Sequence, residues 1–179
     1  MLTTKSGILI FTTVMATALG ISGVYSGLGL RAAYQPASAQ ETFVASNMTG
    51  GNEVPPVNTT ASGEATFVNN QTFIGFDLAV SDLFNATAAH IHRGQAGTNG
   101  PIVVTLYNTT DPSPGLFGGY SGNITASMLQ GPLANQDLTV LVDLMKSGQA
   151  YANIHTIQNK NGEIRDQIAP SADNATEVT

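Results

Sequence analysis

The sequence has no cysteine among its 179 residues, and only 10% of the residues are charged. The absence of cysteine excludes disulfide frameworks, thiolate metal sites and cysteine nucleophiles together. A domain without disulfides must be held by its own hydrophobic core, and a chain of this length can bury one. Basic residues are also scarce, because Lys and Arg number 6 against 12 Asp and Glu. The net charge of −6 argues against nucleic acid and anionic lipid as partners.

One long apolar run is present, and it lies at the N-terminus. Lys5 precedes the apolar residues 7–30, and Ala37-Ser38-Ala39 forms an A-x-A exit before Gln40. This order is typical of a secretory signal peptide over residues 1–39. The run is also long enough to cross a bilayer as a helix, so an uncleaved N-terminal membrane anchor is the alternative. Both interpretations predict a secreted or cell-surface protein, which touches the membrane only through residues 7–30 if that segment is retained.

Asn-x-Ser/Thr sequons occur seven times, which is more often than the composition predicts by chance. The excess indicates N-glycosylation of a surface-exposed protein, if the host has the machinery. The alternative is a β surface rich in Thr and Asn that matches the sequon by composition. The candidate acceptors are Asn47, Asn58, Asn70, Asn85, Asn108, Asn123 and Asn174.

Apolar and polar residues alternate with period two over most of the remaining chain, which is the pattern of half-buried strands. Turn residues (Gly, Pro, Asn) separate the alternating segments, and this spacing predicts an all-β sandwich or barrel. The predicted strands are Thr42–Met48, Gly63–Asn69, Thr72–Val80, Ala88–His92, Ile102–Tyr107, Gly119–Ile124, Ala150–His155 and Glu163–Ile168.

One segment departs from the alternation. Apolar residues at 138, 141, 142 and 145 have helical spacing, and Gly148 follows as a stop signal. We therefore predict one short helix near residues 137–147, which closes an end of the β core. Residues 169–179 are small and polar, and we predict that they form a disordered tail.

The chain contains three histidines, and their spacing points to one surface. His90 and His92 are two residues apart in a predicted strand, so both side chains project from the same face. The same parity places His155 on one face with Asn153 and Tyr151 in a distant predicted strand. If these two strands are neighbours, one surface collects all three imidazoles.

Three imidazoles on one surface predict a copper or zinc site, because imidazole suits these ions and three His ligands leave a fourth position open. The alternative is structural, with the imidazoles bonded to one another, to Asn153 or to loop carbonyls. The predicted ligands are His90, His92 and His155. The candidates for a supporting layer are Glu163, Arg165 and Asn153, with Glu163 or the less favoured Asp77 as a fourth ligand. A Glu163–Arg165 pair could orient the histidines or be an ordinary, partly exposed ion pair.

Motifs of conventional enzymes are missing. No Ser-His-Asp spacing, dinucleotide fingerprint or paired-carboxylate motif occurs, and the glycines at 94, 97 and 100 lie between two strands rather than before a helix. A metal-dependent redox activity of the superoxide dismutase kind is the only enzymatic alternative. The segment Asn52-Glu-Val-Pro-Pro-Val57 forms a stiff, extended loop, which either clamps a neighbouring backbone or ends a strand.

Taken in order, these segments resemble the CHRD domain, found in chordin and in many microbial exported proteins. The resemblance spans residues 41–168. It implies an immunoglobulin-like or Greek-key β-sandwich outside the cell, without established catalytic activity. The motifs that carry it are Asn52–Val57, Ser62–Phe67, Ala89–Gly94, Gly97–Leu106, Ala150–Thr156 and Gly162–Arg165. The leading hypothesis is therefore an exported, non-catalytic binding or structural module with an extracellular protein or glycan partner, and the alternative is a copper- or zinc-binding protein.

Overall fold

A computed structural model describes residues 40–112, 115 and 117–172 of the chain. Strands dominate, joined by one α-helix, α1 (Leu138–Lys146), and by the short 3-10 helices Gly50–Asn52, Ala126–Met128 and Gly131–Leu133. The strands are β1 (Glu41–Thr49), β2 (Ser62–Asn69), β3 (Ile74–Ser81), β4 (Ala86–Arg93), β5 (Ile102–Asn108), β6 (Gly119–Ile124), β7 (Ala150–Thr156), β8 (Ile164–Gln167) and β9 (Ala169–Pro170). Every predicted strand is found, with its ends shifted by at most two residues.

The predicted alternation of buried and more exposed residues is present in β3. Ile74, Phe76, Leu78 and Val80 are buried on one face, while the residues between them are half-buried or exposed. Because successive side chains in a strand point to opposite faces, this alternation fixes which face of the sheet covers the core.

All strand pairs are antiparallel, and the hydrogen-bonded order is β5-β4-β7-β8-β1-β2-β3-β6, with β9 also beside β1. The sheet is continuous, although β1 and β8 share only the pair Thr49↔Arg165. Its two terminal strands approach each other, because the rings of Tyr107 in β5 and Tyr120 in β6 lie 5.3 Å apart. The sheet is therefore nearly closed and barrel-like. The all-β prediction is confirmed, whereas the immunoglobulin-like division into two sheets is not confirmed.

The helix predicted near residues 137–147 is present as α1. Its residues Leu138, Leu141, Val142 and Met145 are buried, as their helical spacing requires. The helix ends before Gly148, which takes a positive φ of 65°. An ion pair between Lys146 and Glu41 joins the last turn of the helix to the start of β1.

Residues 169–170 form β9 and pair with Val44 and Phe43, so the predicted start of the disordered tail is corrected to a later position. The predicted signal peptide or anchor over residues 1–39 and the tail residues 173–179 lie outside the described residues. Among the residues that are described, no helix has the length and apolarity needed to cross a bilayer.

Candidate metal centre

Strand pairing brings the three histidines together. β4 and β7 are antiparallel neighbours, with His90 opposite Asn153 and Ala88 opposite His155. Residues that face each other across a strand pair share a side of the sheet, so the predicted parity places all three imidazoles on one surface. His92 belongs to the same row and lies opposite Tyr151.

The three rings form a compact group. The ring of His90 lies 4.8 Å from that of His155 and 5.7 Å from that of His92, and the third centroid distance is 5.8 Å. One ring nitrogen of each lies within 4.8 Å of the others. His92 and His155 are each only 8% exposed, whereas His90 is half-buried. The exposed part of the group therefore belongs to His90, although its Nδ1 is buried.

Loop carbonyls fix the orientation of two of these rings. Nδ1 of His92 donates to the Gly100 carbonyl at 2.9 Å, and Nδ1 of His155 donates to the Lys160 carbonyl at 3.0 Å. A carbonyl oxygen only accepts, so the proton resides on Nδ1 and Nε2 carries a free lone pair. Metal-binding histidines are commonly held by such a bond from their second nitrogen.

Each ring also presents a buried nitrogen that has no hydrogen-bond partner within the described part of the chain. These atoms are Nδ1 of His90, Nε2 of His92 and Nε2 of His155. A buried polar atom without a partner is costly, typically about 1–3 kcal/mol. The structural alternative accounts for the two carbonyl bonds but leaves these three nitrogens unexplained, and a metal ion would satisfy all of them.

Burial lowers the pKa of all three imidazoles. For His90, burial and the nearby His155 and His92 bring the pKa down to about 4. Burial also lowers the pKa of His92 and of His155, against the opposing effect of the carbonyl that each ring bonds. All three rings are therefore neutral at pH 7, which is the protonation state that metal binding requires.

The lowered histidine pKa values predict that the three imidazoles destabilise the metal-free domain as pH falls from about 6.5 toward 4. In that window the unfolded chain binds protons that the folded chain excludes, so acid favours unfolding. We expect about 2 kcal/mol from His90 alone, after a reduction for its partial exposure. Urea denaturation at pH 7, 6 and 5 measures the slope.

Glu53 changes the stability with pH in the opposite direction to the histidines, so it provides the control. Burial, only partly offset by Arg165 and Asn153, raises its pKa to about 7, so its contribution to stability grows as pH falls below 7. Replacing His90, His92 and His155 together by Ala removes the imidazole contribution, so the slope should shift toward greater stability at lower pH. An unchanged slope in this triple variant would show that the imidazoles are not buried in their neutral form.

The donor set fits a small transition-metal ion after a modest adjustment. Bonds of about 2.0–2.1 Å to nitrogen place the ligand atoms of a tetrahedral ion about 3.3 Å apart. One ring nitrogen of each histidine lies within 4.8 Å of the others, so the rings need to close by at most about 1.5 Å. The group contains no carboxylate, since the potential ligands that converge among the described residues are the three histidines alone.

Glu163 was predicted as a possible fourth ligand, but its carboxylate is bonded to other side chains. Its carboxylate accepts hydrogen bonds from Thr59 at 2.8 Å, from Thr156 at 2.6 Å and from Asn159 at 3.0 Å. Burial opposes ionisation of Glu163, but these three bonds outweigh it and lower the pKa. Asp77 is exposed on β3, where it pairs with β2 and β6 rather than with the histidine strands.

Arg165 belongs to the surroundings of the site, although not through Glu163. Its guanidinium carbon lies 4.3 Å from the centre of the Tyr151 ring, and that ring stacks on His92 at 4.9 Å with an interplanar angle of 9°. Tyr151 is on β7, which lies between β4 and β8. His92 is on β4, and Arg165 is on β8. Among the described residues no Glu163–Arg165 ion pair is found, and Arg165 donates instead to the side-chain oxygen of Asn99 at 2.9 Å.

Sequence reasoning missed the position of Glu53. It is only 5% exposed, and its carboxylate accepts a long hydrogen bond of 3.4 Å from Asn153. The loop that contains Glu53 follows β1, and the side chain of Asn99 donates to its Val54 carbonyl at 2.7 Å.

The sequons lie mostly on the surface. Asn47, Asn58, Asn70, Asn108 and Asn123 are exposed, Asn85 is half-buried with a positive φ of 54°, and Asn174 lies outside the described residues. Glycosylation of these side chains stays a prediction.

A family model for the CHRD domain matches residues 44–168. No curated protein matches the chain, and no solved structure does. The matched range contains β2 to β8, the helix α1 and all three histidines. Because this match covers most of the chain, the resemblance seen in the sequence motifs is confirmed, and the protein belongs to the CHRD family.

Proposed function

We propose that this protein is an exported CHRD module that binds one copper or zinc ion through His90, His92 and His155. One observation carries the proposal: three imidazoles from two distant segments converge, and each has a buried nitrogen without a partner in the described part of the chain. The bonds from His92 and His155 to loop carbonyls support it, because they leave the lone pairs of Nε2 available.

Membership of the CHRD family supports a non-catalytic binding or structural module. The surroundings of the histidines agree with a binding role, because no carboxylate converges with the three ligands in the described residues, and Glu163 is bonded to Thr59, Thr156 and Asn159 instead. A redox activity of the superoxide dismutase kind depends on copper binding. Measuring how much copper the protein binds therefore tests the first requirement of that activity.

Metal quantification on residues 40–179 tests the proposal. The protein is loaded separately with zinc and with copper in either oxidation state, and is then desalted and measured by elemental analysis. We expect about one ion per chain for at least one of these metals, because the site offers one set of three ligands. The triple variant His90→Ala, His92→Ala, His155→Ala should retain no ion.

Circular dichroism must show that the triple variant keeps the β fold, so that loss of metal reports lost ligands. Asn47→Ala, which changes an exposed side chain on β1, serves as a surface control and should bind metal as the wild type does. Less than about 0.2 ion per chain in the wild type for every metal would refute the proposal, because a site with three preorganised ligands retains its ion through desalting.

Export through residues 1–39 and an extracellular protein or glycan partner complete the proposal. The exposed Phe84 and Ile157 support a partner surface, since each is 49% exposed and Ile157 bonds the backbone of Asn85 beside Phe84. Phe84 and seven polar side chains line a pocket of about 290 Å³, and this mixture of one aromatic ring with amide, hydroxyl and carboxylate groups suits a glycan. The polar side chains are Asn58, Thr59, Thr60, Asp82, Gln158, Asn159 and Glu163.

A further inference from the structure

The charge around the three histidines has a consequence for the ion that they accept. The ligands are three neutral imidazoles, and no carboxylate joins them among the described residues. The charge of a bound ion is therefore not offset by its ligands. Since His92 and His155 are buried, the free-energy cost of this uncompensated charge rises with the valence of the ion.

Arg165 increases that cost. Three adjacent strands present a stack on one side of the sheet, with His92 on β4, Tyr151 on β7 and Arg165 on β8. The guanidinium covers the tyrosine ring at 4.3 Å, and the same ring stacks on the imidazole at 4.9 Å. Arg165 is only 2% exposed, and within the described chain it forms no ion pair at contact distance, although its charge is felt at the buried Glu53 carboxylate. Its positive charge is felt at His92, where it disfavours a second positive charge.

The coordination number also favours an ion of low charge. Zinc normally takes four ligands in a tetrahedron, and Cu(II) prefers a square-planar or tetragonal set of nitrogen and oxygen ligands. Cu(I) has a filled d shell and accepts a trigonal set of three nitrogens, while it carries only one positive charge. The three histidines supply such a set without a further ligand.

We propose that the three-histidine site prefers Cu(I) to Cu(II) and Zn(II), and that Arg165 contributes to this preference by repelling the more highly charged ions. The inference rests on the metal site proposed above and adds the identity and oxidation state of the ion. Arg165 acts here through Tyr151 and His92, so it is a selectivity residue rather than a ligand.

Competition titrations test the preference. Metal-free protein is titrated under argon with Cu(I) against a colorimetric Cu(I) chelator, and separately with Cu(II) and Zn(II) against chelators of known affinity. We expect the wild type to bind Cu(I) with the lowest Kd of the three ions. Wild-type protein that binds Cu(II) or Zn(II) as tightly as Cu(I), or more tightly, would overturn the preference while leaving the metal site itself standing.

Variants of Arg165 separate charge from packing. Arg165→Gln removes the charge and should shift the ratio of the Cu(I) and Cu(II) Kd values about 10-fold toward Cu(II), as expected for one buried charge acting over several ångströms. Arg165→Lys keeps the charge but loses the planar stack, and it should stay within about 2-fold of the wild-type ratio. Lys146→Gln is the matched control and should leave the ratio unchanged. It removes a cation at the end of α1 that is paired with Glu41 on β1.

The outcomes are distinguishable. If no ion binds to the wild type, the three-histidine site fails and the preference fails with it. If metal binds but Arg165→Gln leaves the ratio unchanged, Arg165 has no part in selectivity and that part of the inference is wrong. If Arg165→Gln does not fold, the Arg165→Lys variant and the three wild-type affinities still decide whether Cu(I) is preferred.

Discussion

Replacing Gly100 by Ala should destabilise the domain by about 3 kcal/mol or more, because the added methyl group has no space. A Cβ atom at this position would lie within 1.7 Å of the Arg93 carbonyl oxygen. The obstacle is backbone at the base of the loop between β4 and β5, so no side-chain rotation relieves it. The loop must open, and its hydrogen bond from the Arg93 amide to the Pro101 carbonyl must lengthen.

The same substitution should disturb the candidate metal centre. Gly100 accepts the hydrogen bond from Nδ1 of His92, and its amide donates to the Tyr151 hydroxyl at 3.1 Å. We therefore expect weaker metal binding in Gly100→Ala even at temperatures where the variant remains folded. Urea denaturation measures the stability, and metal retention after desalting measures the site.

Gly97→Ala is the matched control in the same loop. Gly97 has a positive φ of 76°, and a Cβ at this position meets nothing within 4 Å. Its replacement should cost only about 1 kcal/mol of backbone strain and leave metal binding intact. Equal destabilisation by the two substitutions would mean that backbone strain, rather than close approach to Arg93, decides the effect.

The elements of the fold were accessible from the sequence because each is encoded locally. Strand β3 carries its alternation in consecutive residues, and α1 carries its spacing between Leu138 and Met145. The pairing of strands is not local, since β1 meets β8 through a single residue pair more than 100 positions apart in sequence. Nothing in the alternation distinguishes one nearly closed sheet from two packed sheets, which explains why only the all-β class was predictable.

The histidine group was predictable in part for the same reason. Parity places His90 and His92 on one face of a strand, but only the pairing of β4 with β7 brings His155 to them. The predicted Glu163–Arg165 ion pair is not found among the described residues, because Glu163 lies at the end of a strand. Because β8 begins at Ile164, Glu163 lies just outside the strand and turns toward Thr59, Thr156 and Asn159.

The buried position of Glu53 could not be predicted from local pattern. An isolated carboxylate in a Pro-rich loop is ordinarily exposed, and its burial here depends on the meeting of this loop with Asn153 on β7. The stack of Arg165 on Tyr151 depends in the same way on the order of three strands that are not consecutive along the chain. Both features belong to tertiary contacts that composition and periodicity do not encode.

Saturating metal should stabilise the wild-type domain by about 4 kcal/mol when the free ion is held at about 1,000 times its Kd. A ligand that binds only the folded state stabilises that state by mass action, and the three nitrogens converge only after β4 and β7 have paired. For a domain of this size the same free energy raises Tm by about 15 °C. Differential scanning calorimetry with and without the ion measures the shift, and a chelator in excess should reverse it.

The triple histidine variant decides whether this stabilisation comes from the proposed site. Its three unpartnered nitrogens are gone, so its Tm should be the same with and without the ion. Its metal-free stability need not fall to the level of an ordinary core mutant, because the substitutions also remove the penalty of burying unsatisfied polar atoms. A metal-dependent rise in Tm of similar size in the triple variant would place the ion elsewhere on the acidic surface. The convergence of the histidines would then be a packing arrangement of β4 and β7.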